Sequence, residues 1–461
     1  MHALLLRPHP GNDRFGLGPF FLVEPLGLAY AAAALAKVGV ASTIADLRFK
    51  PGLDRVLSRA RPELVAISCL HALEYERCVE LAREVKRRAP EAFVVVGGHA
   101  AAAYADALAD DAIDAVSFGD AEQVMPALAL ALRDKTPLAD VPDLVLRAKD
   151  GGAVRTRASA EEADLTLLPD RSGLEPYRSR YRCLFHRPVW VVETARGCPF
   201  RCSFCSVAVL HGRALRERPV SAVVEDFARV GDRIFIVDDL FFANPERSLA
   251  IARGLEARGI KKKWLLAQTR ADLAAKREDV LAAWRARTDA SDVFVGFEAP
   301  SDDALAKVSK DTTVAKMDDG LALLRRLGFG VTGNFVVDPD WGEDDFRALW
   351  DFVGARQLQR AGYTILTPLP GTDFYAKEKA RIGAQPWHKF DMHHLLWEPR
   401  LGRARFLELY AETWRRSVLK ARAGKVLSWL GRVRPADAPD LLRMVLRTQR
   451  MMRPAEYLAD E

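Results

Sequence analysis

Short apolar runs of β type alternate with Ala- and Leu-rich stretches of helical type along residues 1–120. Each apolar run ends in glycine or a polar residue, and the five runs read ALLL, STIAD, LVAIS, FVVVGG and AVSFGD. This alternation predicts βαβ units, and hence a doubly wound parallel sheet with helices on both faces. We therefore expect an α/β domain over residues 1–135.

A second series of six apolar runs lies within residues 189–400 and reads VWVVET, RIFIVDD, WLLAQT, DVFVGFE, GVTGNFVV and GYTILTP. Six βα units predict a partial (β/α)6 barrel that is open on one side and carries its chemistry at the carboxyl ends of the strands. Residues 136–188 are dense in proline, glycine and charge, which predicts a linker. Residues 401–461 are predicted to form a basic, helical C-terminal region.

Composition and charge agree with several globular domains. The chain has 461 residues, of which 49% are hydrophobic and 28% charged, so two or three full-sized cores are expected. Residues 401–453 hold 13 Lys plus Arg against 4 Asp plus Glu, whereas the net charge of the whole chain is only +6. No run approaches the roughly 18 apolar residues of a membrane span, and no signal peptide precedes the first strand, so we expect a cytoplasmic protein.

The carboxyl ends of the first five strands are the expected ligand side of the sheet. Gly97 and Gly98 allow the backbone to approach a bulky ligand closely, and Gly119 offers the same at the next strand end. All three glycines are also explained by ordinary turns. No GxGxxG follows the first strand, which disfavours a nicotinamide or flavin dinucleotide.

Three of the six cysteines lie together in RGCPFRCSFC, residues 196–205, as Cys198, Cys202 and Cys205. A structural zinc site takes four ligands, commonly in two separate pairs, and no second pair follows here. Three thiolates can instead hold three irons of a 4Fe-4S cluster and leave the fourth iron open to a small chelating molecule. A zinc or redox-thiol site is the alternative. The other cysteines are scattered and are expected to be small buried side chains.

The C-x3-C-x2-C spacing, with Phe204 directly before the last cysteine, resembles the radical SAM superfamily over about residues 190–400. The resemblance implies that S-adenosyl-L-methionine chelates the open iron. It also implies that an electron from the reduced cluster cleaves the sulfonium to give a 5′-deoxyadenosyl radical. Asp238 lies where such enzymes often carry a Gly-Gly-Glu stretch that contacts the amino group of S-adenosylmethionine.

Polar residues also end the next two barrel strands. Gln268 and Arg270 end the third strand, and Glu298 ends the fourth. If side chains alternate as expected, these groups point to one mouth of the barrel. There a carboxylate would bind the ribose or the ammonium of S-adenosylmethionine, and Arg270 its carboxylate. Salt bridges among these residues are the alternative.

The first domain resembles the Rossmann-like cobalamin-binding domain found in front of many radical SAM enzymes. The resemblance rests on EPLGLAYAAAAL, on Ser68-Cys69-Leu70, on the Gly97-Gly98 pair and on GDAEQ. It implies a cobalamin site at the strand ends formed by Ser68, Leu70, Gly97, Gly98, Gly119 and Glu122.

One feature departs from better-known cobalamin modules, which carry Asp-x-His-x-x-Gly after the second strand. This chain has Asp46-Leu47-Arg48 there, and a guanidinium cannot donate a lone pair to cobalt. We therefore predict cobalamin bound without a protein histidine below the cobalt. His9, His71 and His99 also lie at strand ends and are possible substitutes.

The pairing of the two domains resembles the cobalamin-dependent radical SAM enzymes, many of which methylate unreactive centres. The longest local resemblances are to the hopanoid methylases that act on the A ring at carbon 3, and they lie in VETARGCPFRCSFCSV, IFIVDDLFF, GVTGNFVVDPDW, GYTILTPLPGTDFY and FDMHHLLWEPRLG. They imply a C-methyltransferase in which a substrate radical collects a methyl group from methylcobalamin. A reductase, flavodoxin or ferredoxin would supply the electrons.

Two other functions fit the same sequence. One is a different corrinoid radical SAM enzyme, either an oxidative, ring-forming one or one that methylates a non-hopanoid substrate. The other is a cobalamin-sensing iron–sulfur protein. Labelled methyl transfer and cleavage of S-adenosylmethionine separate these classes.

The basic C-terminal region mixes Lys and Arg with Trp414, Leu427, Trp429 and Leu430, which is typical of a helix lying on an anionic membrane. A helix packed on the barrel is the alternative. Nucleic acid is disfavoured as a partner, because no RNA-binding module and no basic stripe with interleaved aromatics surrounds the cysteines. The adjacent His393 and His394 cannot share one helical face and are expected to line the substrate cavity or order a loop.

Overall fold

The structure is a computed structural model that describes residues 1–10, 15, 18–147, 152–160, 162–358, 360–419 and 438–459. Within these residues, two large sheets account for most of the strands. The first sheet comes from the amino-terminal third of the chain and the second from the region of the cysteines. The α/β fold class expected from the sequence is confirmed, with a parallel-sheet domain, a partial barrel and C-terminal helices.

The first sheet has seven strands in the described part of the chain. They are β1 (His2–Arg7), β3 (Ala41–Asp46), β4 (Leu64–Ser68), β5 (Phe93–Gly97), β6 (Ala115–Ser117), β7 (Leu144–Arg147) and β8 (Ala153–Arg155), while β2 (Phe21–Leu22) pairs outside it with β9 (Arg182–Cys183). The order is β3-β1-β4-β5-β6-β7-β8, and the first five strands are parallel. These five are the apolar runs predicted from the sequence.

Helices cover both faces of the first sheet. They are α1 (Leu26–Lys37), α2 (Leu53–Ala60), α3 (Tyr75–Arg88), α4 (His99–Ala103) and α5 (Ala121–Asp134). Apolar residues of α1 and α5 fill the core on one face, and those of α3 fill the core on the other. Burial on both faces explains why the strands read as continuous apolar runs rather than alternating ones.

The segment predicted as a linker, residues 136–188, holds the two antiparallel strands β7 and β8 at the edge of the first sheet. A 3-10 stretch, Ser172–Arg180, follows them, and its Tyr177 stacks on Phe49. Strand β7 reads LVLR, an apolar run inside the segment predicted as a linker, whereas all three residues of β8 are exposed and give no apolar run.

The second sheet has six parallel strands in the order of the chain. They are β10 (Trp190–Val192), β13 (Arg233–Ile236), β14 (Lys262–Thr269), β15 (Thr288–Glu298), β16 (Gly330–Val337) and β17 (Ala361–Ile365). Between β10 and β13, β11 (Ala195–Arg196) pairs with β12 (Arg216–Glu217) in a small hairpin. Strands β10 and β17 end the order, so the barrel is open on one side, as predicted.

Helices contribute apolar side chains to the barrel core, and they are α7 (Val220–Arg229), α8 (Pro245–Ala257), α9 (Ala271–Ala274), α10 (Glu278–Ala286), α11 (Asp302–Lys307), α12 (Val314–Arg326) and α13 (Glu343–Ala355). Helix α6 (Val207–His211) instead lies in the loop between β11 and β12, and α14 (Asp373–Ile382) packs into the core of the first domain. Phe297, Phe335 and Phe352 form one aromatic group at the centre of this core.

The C-terminal region begins with α15 (Arg403–Leu419) and continues with α16 (Ala438–Met451) and α17 (Pro454–Leu458). Helix α15 packs on the barrel, and Trp414, named above as part of a membrane-facing helix, is buried against Tyr363. The packed-helix alternative therefore describes α15. Leu427, Trp429 and Leu430 lie outside the described residues.

The two domains contact each other through a shared apolar core. Leu396 and Trp397, which follow the last barrel strand, belong to the same buried cluster as helix α3. Trp387 packs edge-on against Tyr75 with ring centroids 4.9 Å apart. The amide of Ile365, the last residue of β17, donates to the carbonyl oxygen of Met392 in this segment at 2.7 Å. The barrel side that meets the first domain is therefore the side where its strands end.

Candidate active site

The cysteine loop, residues 197–215, starts and ends in the small hairpin of β11 and β12. Arg196 on β11 is the register partner of Arg216 on β12, so the loop leaves and returns at neighbouring positions. Gly197 has a φ of +91°, and a Cβ there would lie 2.3 Å from the carbonyl oxygen of Ala214. Only glycine fits this point, because a side chain would force the two sides of the loop apart.

All three predicted cluster ligands line one cavity of about 210 Å³. Cys198, Cys202 and Cys205 are free thiols and half-buried, as is Phe204 between them. Among the described residues, no three His, Cys, Asp or Glu side chains converge as ligands of a single metal ion. An iron–sulfur cluster separates its thiolates by its own irons and sulfides, so three cysteines around one cavity fit this group better than a mononuclear site.

Burial raises the pKa of each of the three thiols, and it raises that of Cys205 to about 11. At Cys202 the charges of Lys310 and Arg270 oppose this rise. The free thiols are thus protonated at neutral pH, and binding of iron has to displace their protons. Two nearby cations favour the thiolate form that metal binding requires.

Arg270 is one of these cations and lies next to the cysteine loop. Its guanidinium is 3.7 Å from the ring centroid of Phe200, inside the loop. It also donates to Asp272 at 3.0 Å and to the carbonyl oxygen of Asp311 at 2.7 Å. Arg270 is buried, so these contacts fix its orientation toward the loop.

Lys310 is the second cation, and sequence reasoning missed it. Its ammonium lies 2.9 Å from Glu298, the predicted site carboxylate at the end of β15. Glu298 has a φ of +63° beside an irregularity in the β15–β16 pairing. A Cβ on Gly296 would lie 2.3 Å from the Glu298 carboxylate, so glycine leaves the space that this ion pair occupies. Residues other than glycine that are held in such a strained backbone conformation cluster at functional sites.

The two aspartates after β13 occupy different environments. Asp238 is fully buried and accepts hydrogen bonds from the backbone amide and the hydroxyl of Thr194, at 2.6 and 2.5 Å. Asp239 is partly accessible and accepts from the backbone amide of Gly197 at 3.2 Å. Burial raises the pKa of Asp238 to about 7 and that of Asp239 to about 6. Asp239 is therefore the aspartate that borders the cysteine loop.

Gln268 is the penultimate residue of β14 and lies beside these groups. Its backbone oxygen accepts from the amide of Phe241 at 3.0 Å, and its side chain is half-buried. The predicted barrel residues therefore gather around the carboxyl ends of β13, β14 and β15. Cys198, Asp239, Arg270 and Glu298 are close enough to influence one another or the cysteine thiols electrostatically.

The strand ends of the first domain form an accessible edge on an otherwise buried sheet. Ser68, Gly97 and Gly98 are half-buried there, and Leu70 is 38% exposed. Gly98 has a φ of +112°, and a Cβ on it would lie 2.6 Å from the carbonyl oxygen of Cys69. The backbones of the two strand ends therefore touch at Gly98, and only glycine allows this approach.

Arg48 occupies the position at which better-known cobalamin modules carry the cobalt-binding histidine. Its guanidinium donates to Asp46 at 2.9 and 2.6 Å and to the carbonyl oxygen of Val23 at 2.7 Å. The Arg48 side chain is only 8% exposed, and these contacts occupy its donors. Of the possible substitutes, His99 lies 2.9 Å from Ser206 in the cysteine loop, while His9 and His71 are exposed.

The remaining predicted cobalamin residues contact the protein itself. A Cβ on Gly119 would lie 2.5 Å from the Asp143 carboxylate, so this glycine permits close packing of β7. Glu122 is buried and pairs with Arg196 at 2.5 Å and Arg218 at 3.4 Å. The local residue pattern carries no signal for these pairs, because each partner lies more than 70 residues away.

The adjacent histidines after β17 lie in a buried polar group. His393 lies 2.9 Å from the hydroxyl of Tyr410, and His394 lies 2.9 Å from the carboxylate of Asp391. Both backbone amides also donate to Asp391. This supports the expectation that they order the loop.

Two protein families match separate parts of the chain. Residues 20–129 match the B12 binding domain, and residues 192–353 match the radical SAM superfamily. The hopanoid C-3 methylase of Methylococcus capsulatus is 29% identical over 451 residues, which cover 96% of this chain and 86% of the relative.

Two solved structures share the fold. The radical S-adenosylmethionine methyltransferase TsrM from Kitasatospora setae, solved with cobalamin and a 4Fe-4S cluster bound, has a TM-score of 0.68 at 19% identity, covering 84% of this chain and 79% of its own. The cobalamin-dependent S-adenosylmethionine radical enzyme OxsB, solved with aqua-cobalamin and S-adenosylmethionine bound, has a TM-score of 0.74 at 15% identity, covering 98% and 71%. At these coverages the shared fold extends over both the first domain and the barrel of this chain.

Proposed function

We propose that this chain, a radical SAM methyltransferase with an amino-terminal B12-binding domain, methylates carbon 3 in the A ring of a hopanoid lipid. The observation that carries the substrate proposal is the extent of the similarity to the hopanoid C-3 methylase, which covers 96% of this chain. It therefore includes the B12-binding domain, the barrel and residues of the C-terminal region.

The two domains imply three cofactors, namely a 4Fe-4S cluster, S-adenosylmethionine and cobalamin. Together these groups supply a radical that abstracts hydrogen from an unactivated carbon and a methyl group to replace that hydrogen. Cys198, Cys202 and Cys205 would hold the cluster in the cavity that they line. Ser68, Leu70, Gly97 and Gly98 would face cobalamin at the open edge of the first sheet.

The residues around the cysteine loop would bind and orient S-adenosylmethionine. Asp239 offers a partly accessible carboxylate for an ammonium group, and Arg270 supplies positive charge for a carboxylate. Glu298 and Lys310 form a polar pair at the end of the next strand. The apolar barrel interior behind them would exclude water from a reactive radical.

A hopanoid is a membrane lipid, and we propose that the C-terminal region meets it at a membrane surface. The described residues include no helix long and apolar enough to cross a bilayer. Helix α16 instead exposes Leu442 by 60%, Val445 by 43% and Leu446 by 51%, at the spacing of one helical face. The same helix carries the exposed Arg450, whose positive charge complements anionic lipid headgroups.

The test is methyl transfer from S-adenosylmethionine carrying a deuterated methyl group to a hopanoid with an unmethylated A ring, under anaerobic conditions with a flavodoxin or ferredoxin reducing system. We expect a product heavier by one labelled methyl group at carbon 3, formed together with 5′-deoxyadenosine. The electron donor is itself part of the proposal, and a chemical reductant serves as the control.

Two outcomes would contradict the proposed function. Formation of 5′-deoxyadenosine without any methylated hopanoid would point to another substrate or to an oxidative, ring-forming enzyme. Absence of S-adenosylmethionine cleavage by protein that contains the cluster would point to a sensor. A variant with Cys202→Ala provides the blank for both measurements.

A further inference from the structure

A single carboxylate of the first domain joins both strands from which the cysteine loop emerges. Asp120 accepts a hydrogen bond from Arg196 at 2.9 Å and also pairs with Arg216. These two arginines are register partners on β11 and β12. Asp120 therefore closes the base of the cysteine loop, and it does so from the neighbouring domain.

Asp120 belongs to a larger group, the interdomain ion network, which consists of Asp120, Glu122, Glu193, Arg196, Arg216 and Arg218. Glu122 accepts from Arg196, and Glu193 lies 2.8 Å from Arg196 and 2.7 Å from Arg218. Three carboxylates face three guanidiniums, so the charges balance. None of the six side chains is more than 16% exposed.

Two geometric properties make this network suitable for fixing position. A guanidinium binds carboxylates through a planar fork of donors, so each pair constrains both distance and direction. The network is also buried, and a buried charge without its partner is strongly disfavoured. Each ion pair therefore depends on the others. Arg196 lies only two residues before Cys198, so a movement of Asp120 is transmitted directly to the first cluster ligand.

The other end of the network lies on the proposed cobalamin edge. Asp120 follows Gly119 at the end of β6 and precedes helix α5. His99, at the end of the neighbouring strand, makes a second link to the cysteine loop through Ser206, the residue directly after Cys205. The base of the cysteine loop and its middle are thus each tied to a strand end of the first domain.

We propose that Asp120 is a positioning residue that couples occupation of the cobalamin edge to the geometry of the cysteine loop. This inference rests on the proposed function in that it requires cobalamin to bind at this edge. The GDAEQ segment, which contains Asp120, would thus hold the two cofactor domains in a fixed relative position.

The test is hydrogen–deuterium exchange of the backbone amides of residues 195–217 in cluster-reconstituted protein, with and without hydroxocobalamin. In the wild type, cobalamin is expected to slow exchange by about fivefold or more, which is the lower range of coupling between sites. In Asp120→Asn this slowing is expected to be lost while the iron content is retained. Arg216→Gln removes the link between Asp120 and β12, while Asp120 keeps Arg196 as its partner, so no carboxylate is left unpaired. The slowing by cobalamin is expected to be lost in this variant too.

The matched control is Asp111→Asn. Asp111 lies in the same domain and forms an ion pair with Arg147, but its side chain is 96% exposed. This variant is expected to keep the full effect of cobalamin on the cysteine loop.

Equal slowing in wild type, Asp120→Asn and Arg216→Gln would overturn the proposal, as would cobalamin binding that leaves exchange of the loop unchanged in the wild type. A wild-type protein that fails to bind hydroxocobalamin would overturn both this inference and the proposed function. Coupling that is present and lost in the variants, in a protein that does not methylate hopanoids, would overturn only the substrate proposal.

Discussion

Gly98 lies so close to Cys69 that a Cβ atom on the glycine would be 2.6 Å from the cysteine carbonyl oxygen. The contact joins the ends of two neighbouring strands, β4 and β5, at the open edge of the first sheet. The φ of +112° at Gly98 is itself unfavourable for any residue with a side chain. Position 98 therefore requires glycine for two separate reasons, the positive φ and the close contact with Cys69.

Replacement of Gly98 by alanine is expected to lower the free energy of unfolding by about 2 kcal/mol or more and to weaken cobalamin binding, because the strand ends have to separate. Gly39→Ala is the matched control, since Gly39 also has a positive φ, of +71°, but nothing lies within 4 Å of its Cβ position. Urea unfolding and titration with hydroxocobalamin measure the two effects. Unchanged cobalamin affinity in Gly98→Ala would show that this edge does not form the binding surface.

The buried carboxyl group of Asp238 leads us to expect that the free energy of unfolding depends on pH. Burial raises its pKa to about 7 in the folded protein, against about 3.9 in the unfolded chain. Between these values the folded state binds the proton more tightly, so the contribution of Asp238 to stability falls as pH rises and is constant above about pH 7. Asp238→Asn removes this dependence.

The free energy of unfolding of Asp238→Asn, relative to that of the wild type, is therefore expected to increase by about 2–3 kcal/mol from pH 5 to pH 8. Urea titrations of the protein without iron, at pH intervals across this range, measure the difference. A constant difference would mean that the Asp238 carboxyl titrates outside this window.

The exposed face of helix α16 predicts binding to anionic membranes. The double variant Leu442→Ser, Leu446→Ser is expected to bind vesicles of phosphatidylglycerol and phosphatidylcholine about tenfold more weakly, because two apolar side chains no longer enter the lipid. Val154→Ser is the control, since Val154 is 52% exposed in the first domain. Equal flotation of the wild type and the double variant would contradict the membrane proposal.

Much of the architecture could be predicted from hydrophobic patterning. All eleven apolar runs form strands. The first five are continuously apolar because their sheet is covered on both faces, whereas β15 and β16 of the barrel alternate between more and less buried residues. The cysteine spacing likewise identified the loop that lines the candidate cavity. Such local features are encoded within a few neighbouring residues.

Contacts between distant residues could not be predicted in the same way. Glu122 was assigned to cobalamin from its place at a strand end, but its carboxylate pairs with Arg196, 74 residues further along the chain. Lys310 lies beside Glu298 only because the loop after α11 returns to the barrel mouth. Trp414 lies in a segment whose composition is typical of a membrane-facing helix, yet its side chain packs in the barrel core. Each of these depends on tertiary packing rather than on local pattern.

The most direct test of the account is the content of iron, sulfide and cobalt, together with the visible spectrum, after anaerobic reconstitution of the wild type, Cys202→Ala and Cys78→Ala. We predict about four irons and one corrinoid per chain in the wild type, loss of iron in Cys202→Ala, and retention of both groups in Cys78→Ala, whose cysteine is buried in the first domain. Full iron content in Cys202→Ala, or a wild type that holds a cluster but no corrinoid, would contradict it.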